Sequence, residues 1–189
     1  MSAAGEQRDS IVDFILELFA TRGAAEYMGE AVSMSQHMEQ SAACARADNA
    51  PDSLVIAALL HDIGHFIGAH PIEALENGID NVHETAGADY LAPYYPPAIT
   101  EPIRLHVAAK RYLCATDDGY FGRLSDASVN SLMVQGGPMS ADEVKAFEAK
   151  PYHEDAVRLR LYDDDGKVKG LTIKPVSDYR DLLESQLSR

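Results

Sequence analysis

The residues of this chain best suited to chemistry are an adjacent histidine and aspartate, His61 and Asp62, with His65 one helical turn later. They end the apolar run PDSLVIAALLHDIGHF, which is typical of a buried helix. Neutral imidazole binds first-row transition metals, and one carboxylate can bridge two of them. Further candidates lie on segments that also read as helical: His37, His83, His106 and Asp163. Without His65, the set comprises four imidazoles and two carboxylates, enough for a two-metal site.

Several candidates have a suitable partner three or four positions away, where two side chains share one face of a helix. One stripe runs through Tyr27, Glu30, Met34 and His37, which are spaced 3, 4 and 3. The other partners are His65 after His61, Lys110 after His106, and Arg160 before Asp163, with Ser128, Ser131 and Gln135 as a further stripe. A single histidine is more often a surface or capping residue than a metal ligand. The joint pattern, however, indicates a metal site.

A centre of two metals, four imidazoles and two carboxylates keeps a surplus of positive charge. It therefore attracts an anion or a deprotonated hydroxyl group. The neighbouring donors would suit a tetrahedral oxyanion such as phosphate or phosphonate; they are His65, Lys110, Ser128, Ser131, Gln135 and Arg160. Each also has an ordinary interpretation, because the cations could form exposed ion pairs and the serines could simply pack helices.

The bulk properties of the chain limit its class. Its 189 residues fit one domain, predicted over 1–189, and its net charge of −14 disfavours binding to nucleic acid. No apolar run reaches the ~18 residues of a membrane span, and the N-terminus lacks the features of a secretory signal. The two cysteines match no metal or redox spacing. We expect a cytoplasmic protein without a membrane partner, and the oligomeric state stays open.

Capping and breaking residues predict an all-α chain. A capping box of Ser140 and Glu143 begins one helix. A short extended piece is predicted over 168–174. The other helices are predicted over 11–22 after a Ser10 cap, 25–47, 52–64, 80–92, 100–114 with Pro102 in its first turn, 125–134, 152–163, and a last one capped by Ser177.

The order H…HD…H…H…D resembles the HD-domain superfamily over most of the chain. It occurs here with YMGE at 27–30, HVAAK at 106–110, SVNS at 128–131, QGGP at 135–138 and RLYD at 160–163. Within that superfamily the set is similar to the mixed-valence diiron oxygenases that degrade phosphonates. The resemblance implies an all-α, single HD-domain fold. It also implies a ligand set of His37, His61, Asp62, His83, His106 and Asp163.

The resemblance further implies an Fe(II)/Fe(III) pair, dioxygen as co-substrate and no organic cofactor. The substrate would be a small hydroxyphosphonate, cleaved at its C–P bond to a carboxylate and phosphate. Tyr27 would ligate one iron in the empty site, held by Glu30, and would leave when substrate enters. The implied catalytic residues are Tyr27, Glu30 and His65, and the implied substrate-binding residues are His65, Lys110, Ser128, Ser131, Gln135 and Arg160.

Two questions remain open at this point. Three tyrosines close in sequence to the candidate site, Tyr27, Tyr112 and Tyr162, slightly favour a 2-trimethylammonio substrate, which would give glycine betaine, over the 2-amino form, which would give glycine. The alternatives to an oxygenase are a phosphohydrolase acting on a nucleotide or other phosphoester, and a regulatory HD module without turnover. Tyr27 and Glu30 favour the oxygenase, because a hydrolase has no need of a removable tyrosinate.

Overall fold

The computed structural model describes residues 3–25, 27, 29–67 and 82–188, with side chains from residue 11 onwards. In these residues the chain forms helices and no β-strand, which confirms the predicted all-α class. Two short 3-10 helices cover Phe121–Arg123 and Val176–Tyr179. The α-helices are α1 (Ala3–Arg22), α2 (Met34–Ala47), α3 (Asp52–Leu60), α4 (Gly64–Ile67), α5 (His83–Leu91), α6 (Pro97–Thr116), α7 (Asp126–Val134), α8 (Ala141–Glu148), α9 (His153–Asp165) and α10 (Arg180–Ser185).

Helix α3 occupies the centre of the molecule. Every residue from Leu54 to Leu60 is buried, as expected of a helix that is apolar on all sides. Helices α2, α6 and α9 pack around it. Because α3 ends at Leu60, the residues that follow it, His61 and Asp62, lie inside the core rather than at the surface.

The start of α2 corrects one prediction. Ser33 and Gln36 form a capping box, in which Ser33 Oγ accepts from the Gln36 amide and Gln36 Oε1 accepts from the Ser33 amide. The helix therefore begins at Met34 and not at residue 25. The described residues before it form a turn, where the amide of Glu30 donates to the carbonyl of Tyr27. Positions 26 and 28 lie outside the described residues.

Two other helices begin earlier than predicted. Helix α1 begins at Ala3, so Ser10 lies within the helix and does not cap it. Helix α6 begins at Pro97, whose fixed φ suits the first helical position. Pro102 consequently lies inside α6 instead of in its first turn. The capping box of Ser140 and Glu143 is present at the start of α8, as predicted.

The C-terminal region differs from the prediction in two further respects. Ser177 belongs to the 3-10 helix Val176–Tyr179, so it does not cap α10. The predicted extended piece over 168–174 has a turn at 169–170 and forms no strand.

The helix predicted over 80–92 begins at His83, and positions 80 and 81 lie outside the described residues. Among the helices that the structure describes, none is both long and apolar enough to cross a membrane.

Helices α4 and α5 approach each other closely at a glycine. A Cβ atom on Gly64 would lie 1.9 Å from the carbonyl oxygen of His83. On the facing helix, a Cβ on Gly87 would lie 3.1 Å from the amide nitrogen of Gly64. The missing side chains thus allow the start of α5 to lie directly against the segment that carries Asp62.

We expect Gly64→Ala to destabilise the protein, because the new methyl group would meet backbone that must move. The loss in unfolding free energy should be about 1–3 kcal/mol, measured by urea denaturation. Gly122→Ala is the matched control, since a Cβ there would meet nothing within 4 Å. Equal stability of the two variants would show that the contact of α4 with α5 is not tight.

Candidate metal centre

Two clusters of possible metal ligands share the carboxylate of Asp62. Its Oδ2 lies 3.6 Å from Nε2 of His37 and 3.5 Å from Nε2 of His61. Its Oδ1 lies 3.2 Å from Nε2 of His83 and 3.6 Å from Nε2 of His106. Each oxygen of one carboxylate therefore faces its own pair of imidazoles, an arrangement suited to bridging two cations.

Asp163 lies beside the first of these clusters. Its Oδ1 is 3.4 Å from Nε2 of His37, and its Oδ2 is 4.0 Å from Nε2 of His61. The structure thus brings together all six side chains that the sequence suggested as ligands. They come from α2, the turn after α3, and helices α5, α6 and α9.

The hydrogen bonds of three imidazoles define which ring nitrogen faces the centre. Nδ1 of His37 lies 3.0 Å from the carbonyl oxygen of Gly166, and Nδ1 of His61 lies 2.9 Å from that of Ala58. His106 makes the same kind of contact, at 2.7 Å, one turn back along α6. A carbonyl oxygen only accepts, so each Nδ1 carries the proton and each Nε2 presents a lone pair inward.

The inward nitrogens are close enough to require something between them. Nε2 of His37 and Nε2 of His61 are 3.1 Å apart, and Nε2 of His83 and Nε2 of His106 are 3.2 Å apart. In the first pair both nitrogens present lone pairs, which repel unless a cation or a proton lies between them. The arrangement therefore suits a bound cation.

Two buried carboxylate oxygens support the same conclusion. Oδ2 of Asp62 and Oδ1 of Asp163 accept no hydrogen bond from the described residues. A buried charged atom that accepts no hydrogen bond is costly, and coordination to a metal would satisfy it. A mixed imidazole and carboxylate set is suited to iron, manganese or zinc, whereas magnesium prefers oxygen ligands. The residues present therefore fit a pair of transition-metal ions.

The protonation states of the ligands also suit a metal. Burial alone would raise the pKa of Asp62, but the neighbouring histidines, His61 first, hold it well below its usual range. Burial likewise opposes the charge of Asp163, whose pKa Arg160 holds well below the usual range. Burial lowers the pKa of His106 far below its ordinary value. At neutral pH the carboxylates are anionic and His106 is neutral, which are the forms that bind metals.

A group of buried donors, which we call the anion cradle, lies next to the ligand clusters. It consists of Lys110, Ser128, Ser131, Gln135 and Arg160. Within it, Arg160 donates from Nη1 to Oδ2 of Asp163 at 2.6 Å and from Nη2 to Ser128 Oγ at 3.3 Å. Lys110 donates to Ser131 Oγ at 2.6 Å. The anion cradle lines a cavity of about 20 Å³, room for only one or two water molecules, together with four of the possible ligands: Asp62, His83, His106 and Asp163.

Tyr27 lines this cavity. Its ring stacks on that of His37, with centroids 4.0 Å apart and planes 17° apart. Burial, and then the charges of Asp62 and Asp163, raise the pKa of Tyr27 well above its usual value. The predicted helical stripe from Tyr27 to His37 is wrong, because Tyr27 precedes α2, but the turn brings the two rings together all the same.

Glu30 and His65, to which the resemblance gave catalytic roles, lie beside the ligand residues: Glu30 belongs to the turn of Tyr27, and Nε2 of His65 is 3.9 Å from Oδ1 of Asp62. The carboxylate of Glu30 accepts from Ser125 Oγ at 2.5 Å, and the backbone amide of Glu30 donates to the carbonyl of Tyr27. The ring of His65 stacks on that of His83, with centroids 4.0 Å apart. Burial lowers the pKa of His65 to about 3, so this imidazole is neutral. Among the described residues the cavity lining includes His83 and leaves out His65.

The sequence interpretation missed two residues of the site. Lys167 lies 3.1 Å from Ser128 Oγ and 3.7 Å from Oδ1 of Asp163, measured from its Nζ. Its position four residues after Asp163 could have revealed it, since the same spacing pointed to Lys110. The hydroxyl of Tyr120 accepts from Nε of Arg160 at 3.0 Å, and nothing in the sequence pattern indicates this contact.

Two tyrosines that the sequence brought near the site lie away from it. The hydroxyl of Tyr112 donates to Glu148. That of Tyr162 donates to Asp48. Neither ring lines the cavity formed by the described residues. Of the three tyrosines that favoured a trimethylammonium substrate, only Tyr27 is in contact with the site.

Replacement of Asp62 should remove both metals, because its two oxygens face both ligand clusters. We expect Asp62→Ala to lose two metal ions per chain and Asp163→Ala to lose about one, since Asp163 faces a single cluster. Elemental analysis of the purified variants, with circular dichroism to check their folding, measures this. Two metals retained in folded Asp62→Ala would rule out a bridging role.

The buried ammonium group of Lys110 should lower the unfolding free energy of the protein, by an amount that depends on pH. Burial, with a smaller contribution from Arg160, lowers the pKa of Lys110 from 10.5 to about 7. Between these values the unfolded chain binds more protons, so the unfolding free energy rises with pH, and the cost of Lys110 is greatest below about pH 7. Lys110→Met should therefore stabilise the metal-free protein by a few kcal/mol near pH 6, and by less as the pH approaches 10.

The control for this prediction is Lys145→Met, which removes an exposed lysine from α8. The unfolding free energy of Lys145→Met, measured by urea denaturation, should match that of the wild type at pH 6 and at pH 9. A gain in unfolding free energy of Lys110→Met over the wild type that is no larger at pH 6 than at pH 9 would contradict the expected cost of burying this ammonium group.

Comparison with known proteins agrees with the geometry. The model of the HD domain matches residues 22–117. A 1-hydroxy-2-(trimethylamino)ethylphosphonate dioxygenase (glycine-betaine-forming) of Leisingera caerulea is 47% identical over 160 residues, which cover 85% of this chain and 82% of that protein. A hydroxymethylphosphonate dioxygenase of Gimesia maris is 44% identical over 177 residues, 93% of this chain and 88% of that protein. The chain belongs to the HD-domain family, in the group that contains these phosphonate dioxygenases.

Proposed function

We propose that the protein is an oxygen-dependent enzyme that breaks the carbon–phosphorus bond of a small 1-hydroxyalkylphosphonate at a two-iron centre. The observation that carries this proposal is the contact between two sites. Asp163 faces the ligand cluster on one side and accepts from Arg160 of the anion cradle on the other. A place for two cations thus adjoins a place for a tetrahedral oxyanion. The activities named for the two relatives support the same assignment.

In this proposal one iron is held by His37, His61 and Asp163 and the other by His83 and His106, with Asp62 contacting both. When bound, the Fe(II)/Fe(III) pair supplies the activation of dioxygen and the redox chemistry of bond cleavage. Zinc has no redox chemistry, so a reaction with dioxygen favours iron or manganese. Conversion of the hydroxyphosphonate to a carboxylate and phosphate releases four electrons, which is what dioxygen accepts, so no organic cofactor is needed.

The anion cradle would bind the phosphonate group. The guanidinium of Arg160 and the ammonium of Lys110 provide charge, and the hydroxyls of Ser128 and Ser131 provide short-range donors. Oε1 of Gln135 is buried and accepts no hydrogen bond from the described residues, so the amide is free to turn and present its N–H donors to the phosphonate. Because the cradle adjoins Asp163, a phosphonate held there would direct its C1 hydroxyl toward the ligand clusters.

Entry of the substrate requires Tyr27 to move. With the ring of Tyr27 in its wall, the cavity of about 20 Å³ is too small for a phosphonate. The high pKa of Tyr27 means that its hydroxyl stays protonated unless a metal cation binds it. We therefore propose that Tyr27 shields the centre in the empty enzyme and leaves when substrate enters. A phosphohydrolase would have no use for such a group.

The proposal also addresses which group the substrate carries at C2. The 2-trimethylammonio form, which gives glycine betaine and phosphate, has the support of one relative. The 2-amino form, which gives glycine and phosphate, is the other candidate. The second relative acts on a hydroxymethylphosphonate by its name, so the tail is the part of the substrate that varies among these proteins.

Two broader proposals accompany this function. Asp163 and Arg160 lie beyond the segment matched by the HD-domain model, yet they complete the site, which supports one domain over 1–189. The acidic charge of −14 supports a small-molecule partner rather than nucleic acid. The predicted cytoplasmic location stays a prediction.

The test is an oxygen-electrode assay on the iron-loaded protein with three substrates: the trimethylammonio, the amino and the unsubstituted 1-hydroxyphosphonates. We expect one phosphate released for each dioxygen consumed, and no reaction in Asp62→Ala. Nucleotides should release no phosphate. Phosphate release from a nucleotide without oxygen would favour the phosphohydrolase, and a purified wild type without metal would favour a regulatory module.

Tyr27→Phe should leave the centre unshielded before substrate arrives. A phenolate bound to Fe(III) gives a visible charge-transfer band, so we expect a band in the wild type that substrate removes and that Tyr27→Phe lacks. The variant should also lose activity in air faster than the wild type, because its iron is open to oxygen. Tyr162→Phe, outside the cavity, is the control. A wild type without a substrate-sensitive band, together with an equally stable variant, would make Tyr27 a packing residue.

A further inference from the structure

Lys167 is a nearly buried cation that the proposed chemistry does not use. It follows α9 in a segment without regular structure, and its side chain is only 10% exposed. Its Nζ donates to Ser128 Oγ at 3.1 Å and lies 3.7 Å from Oδ1 of Asp163. These contacts place it at the edge of the anion cradle.

The same ammonium group contacts the turn that carries Tyr27, one of the residues that line the cavity. Nζ of Lys167 lies 3.8 Å from Oε1 of Glu30 and 5.7 Å from the centre of the Tyr27 ring. The amide of Glu30 donates to the carbonyl of Tyr27 at 2.7 Å, so the two residues belong to one turn. Lys167 therefore joins the turn that carries Tyr27 to the hydroxyl of Ser128 in the anion cradle.

We propose that Lys167 is a positioning residue that latches Tyr27 over the empty site and releases it when an oxyanion binds at Ser128. This inference rests on the proposed function, in which Tyr27 must leave for substrate to enter. An ammonium group has three donors, and in the empty site they face Ser128, Glu30 and Asp163. A doubly charged oxyanion at the anion cradle would compete with the single charge of Glu30 for this cation.

The outcome of that competition follows from charge and distance. The contact of Lys167 with Glu30 is an ion pair at 3.8 Å, whereas its contact with Ser128 is already a hydrogen bond at 3.1 Å. An oxyanion bound to Ser128 would lie within direct reach of Nζ. Once Lys167 turns to it, Glu30 keeps the bond from Ser125, but the turn loses its ion pair with Lys167. The turn could then open and carry Tyr27 away.

Hydrogen exchange of the turn tests the latch without turnover. The amides of Tyr27 and Glu30 donate within the turn, so their exchange reports its opening. With the metal-loaded wild type, inorganic phosphate should accelerate their exchange about tenfold, the effect of losing one charge-assisted contact. In Lys167→Met the exchange should be fast without phosphate and should not respond to it. Lys167→Arg should restore slow exchange in part.

The matched control is Lys169→Met, which removes an exposed lysine from the same segment. Its exchange rates and phosphate response should equal those of the wild type. Slow exchange in Lys167→Met, or a wild type that does not respond to phosphate, would overturn the latch. Failure of the oxygen-electrode assay with an intact exchange response would instead reject the proposed reaction and leave the latch standing.

Discussion

One buried carboxylate that faces two pairs of imidazoles is the constraint on which the structure depends. Asp62 can serve both pairs only if three helices and a turn deliver their nitrogens to within a few ångströms of it. This explains why α3 is apolar on all sides, since its end must lie at the centre of the core. It also explains the glycine at 64, because a side chain there would push His83 away.

The metal ligands and the anion cradle form one hydrogen-bonded unit. Arg160 donates both to Asp163, a candidate ligand, and to Ser128, which belongs to the cradle. The hydroxyl of Tyr120 accepts from Nε of Arg160 and so helps to fix the position of the guanidinium group. A change at the anion end therefore alters the field at the ligand end. Binding an oxyanion and setting the properties of the centre are coupled through one guanidinium group.

The sequence allowed prediction of what is encoded by local spacing. Helical periodicity and an all-apolar run suffice to predict the candidate ligands and the burial of α3, since both are properties of neighbouring residues. Tyr27 shows the limit: a turn, and not the expected helix, places its ring on His37. Contacts between distant segments, such as that of Lys167 with Glu30, have no local signature. Tyr112 and Tyr162 are close in sequence to residues of the site, but their hydroxyls donate to Glu148 and Asp48 instead.

The near-closure of the cavity determines how the protein acquires its metals. A transition-metal ion with its hydration shell does not fit into space for one or two water molecules, so ions exchange only while the covering turn is open or before the helices close. At equilibrium, nitrogen and oxygen ligands prefer copper to iron. Slow exchange removes that preference, because the competing ion cannot enter. In the proposed enzyme, the chain would therefore keep the metal that was abundant where it folded, and its selectivity would be a matter of timing rather than of affinity.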